Sequence, residues 1–93
     1  MDLKRGKSGD NILWKLEGSL DDDSALRFES TVLNSQYEGE DLILDMHEVN
    51  SITTKGLRSL DRIANEVRSK GANLQVLPPD EPLEKEIKRV LGK

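Results

Sequence analysis

The stretch SITTKGL, Ser51 to Leu57, sets three hydroxyls ahead of a lysine and a glycine, just before a run of residues with helical spacing. Hydroxyls in such a place have two uses. A Ser or Thr at a helix start accepts a hydrogen bond from an otherwise unpaired backbone N–H, which stabilises the helix by about 0.5–2 kcal/mol. Thr54 lies where such a cap belongs. The alternative is that one of these threonines is a chemical handle that another protein modifies. A phosphate of about −1.5 to −2 charges is favoured by the N–H groups and dipole of a helix N-terminus, and it changes the surface that a partner touches. Lys55 would stand beside it as a counter-charge.

The remaining polar clusters carry less chemistry. Asp21 to Asp23 offer carboxylate oxygens to a hard cation, but calcium loops need more ligands at alternating positions and a glycine among them. Capping of the helix that follows accounts for the run. His47 is the single histidine, and it reads as a surface loop residue. Asp45 ends a buried strand, where it is expected to accept hydrogen bonds from loop N–H groups. A small enzyme using Asp21, Asp45 and His47 would need a nucleophile converging on them, and none is apparent. No glycine-rich phosphate loop, Cys/His set or hydrolase elbow is present. We therefore expect no catalytic residue, no metal site and no cofactor.

Apolar spacing outlines the elements that must position these groups. NILWKLEG alternates Ile12, Trp14 and Leu16 against Leu13, Lys15 and Glu17, a strand with one buried face that ends at Gly18. Asp and Ser residues then cap a helix of about three turns carrying Ala25, Phe28 and Val32, flanked by Leu26 and Leu33. Gly39 closes the next connection. The triplet Leu42 to Leu44 predicts a central strand. Leu57, Leu60, Ile63, Ala64 and Val67 form a stripe along a helix over Gly56 to Lys70, stopped by Gly71. NLQVLPP is a short strand ended by Pro78 and Pro79. Leu83, Ile87, Val90 and Leu91 line a last helix, with Pro82 in its first turn.

The order β-α-β-α-β-α implies right-handed crossovers and a largely parallel sheet, with DLKRGKSGD as a candidate edge strand. Leu42, Ile43, Leu44, Leu57, Leu60, Ile63 and Val67 are expected to be buried together. Ninety-three residues without cysteine suit one domain, with a third of the chain apolar and a third charged. A net charge of −4 argues against a nucleic-acid partner, which calls for clustered Lys and Arg on one face. Lys4, Arg5 and Lys7 read as a solvated tail. No window reaches the ~20 apolar residues of a membrane span, and no signal peptide is evident. A cytoplasmic monomer without direct membrane insertion is expected.

Four stretches, in this order, give the chain a family likeness: LEGSLD, LILDMHEVNSI, TTKGLRSL and RSKGANLQVL. They resemble the STAS domain of bacterial anti-sigma factor antagonists and of the cytoplasmic tails of sulfate transporters. The likeness implies one α/β domain over residues 1–93, shortened at the C-terminus relative to the family, with a largely parallel mixed sheet and helices mainly on one face. In the antagonist branch, the first Ser of an Asp-Ser-Ser-Gly stretch is phosphorylated by a partner kinase that is also the anti-sigma factor. Carried over, that role falls on Thr54, with Thr53 in place of the Asp, Lys55 in place of the second Ser, and Gly56 retained. Asp21 matches an acidic residue near the phosphoacceptor. The segment Ser51 to Lys55, with Thr53 within it, and the helix face bearing Arg58, Ser59, Arg62 and Arg68 would dock the partner. The alternative is a STAS subunit of a phospholipid-trafficking ABC-type transport complex that grips its ATPase subunit with much the same helix.

Overall fold

A computed structural model describes residues 1–9, 11–35 and 41–91. Along the chain these form β1 (Asp2–Ser8), β2 (Asn11–Leu20), α1 (Asp22–Ser35), β3 (Leu42–Ile52), α2 (Thr54–Ser69), β4 (Leu74–Leu77) and α3 (Leu83–Leu91). The four strands make one sheet in the order β1-β2-β3-β4. The β1/β2 pair is antiparallel, whereas β2/β3 and β3/β4 are parallel. The sheet is thus mixed, as expected. Lys4, Arg5 and Lys7 belong to its edge strand and not to a solvated tail, because β1 pairs along its length with β2 and Lys4 reaches Glu17 at 3.1 Å. The expected closure at Gly39 lies outside the described residues.

Strand periodicity decides what meets the helices. Ile12 stands beside Leu42 and Trp14 beside Leu44, and these alternate residues join Leu16 and Met46 in a buried cluster. Phe28 and Val32 of α1, Leu60, Ile63 and Val67 of α2, and Ile87 of α3 complete it. Ile43 is a correction: it is buried, but a one-residue offset puts it on the other sheet face, outside the cluster. Leu57 packs against the cluster only partly buried.

Two strands run further than their apolar patterns suggest. Gly18 does not end β2. It adopts a φ of 101° within the strand, next to register shifts at Lys15/Glu17 and Gly18/Ser19, so it serves as a bulge that bends the strand and lets it continue. Beyond it Ser19 pairs with Ser51 and Leu20 with Ile52. That second stretch of pairing keeps β3 extended through Ile52, so His47 lies in a strand and not in a loop. Pro82 sits one residue ahead of α3 and not in its first turn. Among the described residues, no helix is long and apolar enough to cross a membrane.

Candidate functional site: two helix starts at the ends of β2 and β3

The extended ends of β2 and β3 deliver α1 and α2 side by side. At the start of α1 the Ser24 N–H donates to Asp21 Oδ1 at 2.9 Å, and the Asp21 N–H donates to Ser24 Oγ at 2.9 Å. This is a reciprocal capping box with serine in the third helical position. The Ser24 hydroxyl donates to the Ser19 carbonyl as well, at 3.1 Å. Hydrogen bonds from the Ser24 backbone N–H, and then from its hydroxyl, hold the Asp21 carboxyl below the ordinary aspartate value.

The start of α2 is tied differently. Thr53 has extended backbone angles, φ −87° and ψ 170°, and its N–H donates to the Leu20 carbonyl at 3.0 Å. Its Oγ1 accepts from the Gly56 N–H at 3.2 Å and donates to Asp22 Oδ1 at 2.8 Å. The cap is therefore Thr53 and not Thr54, because pairing to Ile52 carries the strand conformation one residue short of the helix. Gly56 is required by close approach. A Cβ there would lie 2.6 Å from the Leu20 carbonyl oxygen and 2.9 Å from Leu20 Cγ. Without a side chain, the first turn of α2 rests directly on the end of β2.

Thr54 and Lys55 follow as exposed residues, and among the described residues Thr54 makes no side-chain hydrogen bond. The neighbouring hydroxyls are engaged: Ser51 Oγ donates to Ser19 Oγ at 2.8 Å, which donates to Asn50 Oδ1 at 3.0 Å. Arg58 is exposed. Arg62 is exposed too, and its Nη1 reaches Glu29 Oε1 of α1 at 3.1 Å. Ser59 is a correction. It is only 3% exposed and donates to the Ala25 carbonyl at 3.3 Å, because α1 packs over that side of α2 and only small residues fit between them. Arg68 lies exposed at the far end of α2.

Sequence reasoning passed over four contributors. Asp22, and not Asp21, contacts the Thr53 hydroxyl; that pairing spans 31 positions and has no local signal. Ser19 and Asn50 form the hydroxyl chain for the same long-range reason. Leu26 is 68% exposed, a large apolar side chain in a shallow depression with Asp22, Asp23, Lys55 and Arg62. Its place off the Ala25, Phe28, Val32 stripe was the available clue. Asp45 accepts the His47 N–H at 3.2 Å and faces His47 Nδ1 at 2.9 Å. That pair and the Asp21–Ser24 box are separate networks. Among the described residues, no three His, Cys, Asp or Glu side chains are grouped to hold a metal ion.

The STAS domain family model matches residues 4–90. No curated protein matches the sequence at a significant level. A Thermotoga maritima protein assigned as an anti-sigma factor antagonist superposes with a TM-score of 0.81 at 21% identity, covering 94% of this chain and 76% of that one. The murine Slc26a9 anion transporter in its inward-facing state superposes with a TM-score of 0.74 at 15% identity, covering 86% and 14%. A protein named Mglu gives 0.74 at 17% identity, covering 84% and 20%. This chain thus spans a fifth or less of the latter two. At these identities the likeness establishes the fold, and the neighbours of that fold include anti-sigma factor antagonists.

Proposed function

The chain belongs to the STAS domain family, and from that premise we propose that it is a non-enzymatic, cytoplasmic partner-switching module of the anti-sigma factor antagonist kind. It binds an anti-sigma factor with serine/threonine kinase activity across the start and outer face of α2, and phosphorylation of Thr54 releases that partner. The observation that carries this reading is the contrast among neighbouring hydroxyls. Thr53 and Ser51 are each bound in the fold, whereas Thr54 is exposed at the first position of α2 with a lysine next to it. A phosphate there would meet the helix N-terminus without disturbing the cap. Asp21, Ser51, Thr53, Lys55, Arg58 and Arg62 would frame the docking surface. Ser59 acts behind it, by letting α1 and α2 approach.

A second reading is a STAS subunit that grips the ATPase of a phospholipid-trafficking ABC-type complex. It is favoured by the replacement of the family's Asp and second Ser with Thr53 and Lys55, which supports docking through the same helix without phosphate. The test is co-purification from the native cytosol with mass spectrometry, using the parent, Thr54→Ala and Thr54→Glu chains. A kinase-type partner retained by Thr54→Ala and lost at least tenfold by Thr54→Glu supports the first reading. A transport ATPase recovered equally by all three supports the second. Phosphate mapped to Ser51 or Thr53 in the native protein would overturn the assignment to Thr54.

A further inference from the structure

We propose that the outer edge of β4 is a second docking site, which takes up an extended segment of a partner protein, apolar at alternate positions and acidic between them, as a fifth strand of the sheet. The two edges of this sheet are built differently. β1 presents Asp2, Lys4, Arg5 and Lys7 along seven residues, and charge of that density discourages strand addition. β4 presents Leu74, Gln75, Val76 and Leu77, without a charge.

The backbone of β4 is poised for pairing. The Asn73 carbonyl accepts the Leu42 N–H at 2.9 Å, and β4 continues from it in parallel register with β3. Alternation along a parallel ladder then turns the backbone groups of Gln75 and Leu77 toward β3, and those of Leu74 and Val76 outward. Two N–H and two C=O groups face away from the sheet, and among the described residues no strand pairs with them.

The side chains beside that edge supply recognition. Leu74 and Val76 form one wall of an open groove of about 610 Å³, with Ile87 and Leu91 of α3 opposite. A strand added to β4 would turn every second side chain into this groove, as strand-addition complexes do. Arg68 and Lys88 also border it. Among the described residues Arg68 makes no ion pair, and Lys88 has only Glu84 at 3.8 Å. These are cations at an apolar groove in a chain of net charge −4, which selects an acidic segment. A second copy paired edge to edge would bring two such basic rims onto one seam, so the occupant is a different chain. Pro78 and Pro79 end the strand and limit the pairing to about four residues.

The test is an NMR titration of the full ¹⁵N-labelled chain with a seven-residue peptide alternating valine and glutamate, and with its counterpart carrying lysine for glutamate. We expect shifts concentrated at Leu74, Val76, Ile87 and Leu91, slowed amide exchange at Leu74 and Val76, and at least tenfold weaker binding of the lysine peptide. Val76→Pro deletes one outward N–H and leaves the Gln75 and Leu77 bonds to β3 in place, so it should weaken the glutamate peptide at least tenfold. The exposed Arg68→Glu change, which leaves the core untouched, should narrow or reverse the preference between peptides. Equal binding of both peptides, an unaltered preference in Arg68→Glu, or shifts confined to Thr54 and its neighbours would overturn the proposal. Concentration-dependent protection of Leu74 and Val76 without peptide would overturn it too, in favour of a second copy. Thr54→Glu should leave this binding unchanged, which separates it from the function proposed for α2.

Discussion

The two helix starts sit side by side yet are held by opposite means. The start of α1 is self-contained, since Asp21 and Ser24, three residues apart, satisfy each other. The start of α2 depends on distant chain. Thr53 leans on Leu20 and Asp22, and Gly56 rests against the Leu20 carbonyl. A local cap forms wherever its few residues go, whereas a cap made across 31 positions exists only when the sheet has placed both strands. The dependent start is also the one followed by an exposed hydroxyl, Thr54, at the surface. The exposed residues that follow this cap are therefore positioned by the fold and not by their neighbours in sequence.

Six substitutions probe that contrast. The largest effect is expected at Leu60, which is fully buried on the inner face of α2. Leu60→Ala should cost about 2–5 kcal/mol in urea unfolding, and native-state hydrogen exchange should show the Gly56 N–H losing more protection than the Ser24 N–H. Equal losses would mean that both starts depend on the core alike.

Next comes Gly56→Ala, which forces a methyl group against the Leu20 backbone and should cost about 1–3 kcal/mol by overpacking. A stability within error of the parent, measured by the same unfolding curve, would show that α2 can lift off β2 freely.

Thr53→Ala should cost about 1 kcal/mol as a lost cap, while Thr54→Ala should stay within about 0.5 kcal/mol as an exposed change. The reverse ranking would return the cap to Thr54. In a double-mutant cycle with Asp22→Ala, Thr53→Ala should be non-additive, because the two side chains share a hydrogen bond.

The smallest effect is a pH dependence at the start of α1. The folded-state value of Asp21 is lowered by Ser24, so its contribution is present in full above the unfolded aspartate value of about 3.9. It is lost as pH falls from there through the lower folded value. Thermal unfolding of the parent should therefore show an acid-side loss that Asp21→Asn reduces.

Much of this molecule is decided by neighbours in sequence. The alternation of Ile12, Trp14 and Leu16, the stripe from Leu57 to Val67 and the Asp21–Ser24 spacing each specify an element from within a few residues, because strand and helix periods are local geometry. The order of elements, the mixed sheet and most of the core follow from those patterns. What they leave open is every feature that needs a partner far along the chain. Gly18 looks like a strand end until pairing of Leu20 with Ile52 makes it a bulge. Thr54 looks like a cap until that same pairing extends β3 and hands the role to Thr53. Ser59 looks like an outward residue until α1 covers it through Ala25, and Ile43 looks like helix-facing core until the register assigns it to the opposite sheet face. In each case the residue type permits both outcomes. Only the tertiary structure chooses between them, because hydrogen bonds and close contacts over tens of residues form only after the sheet has brought their partners together.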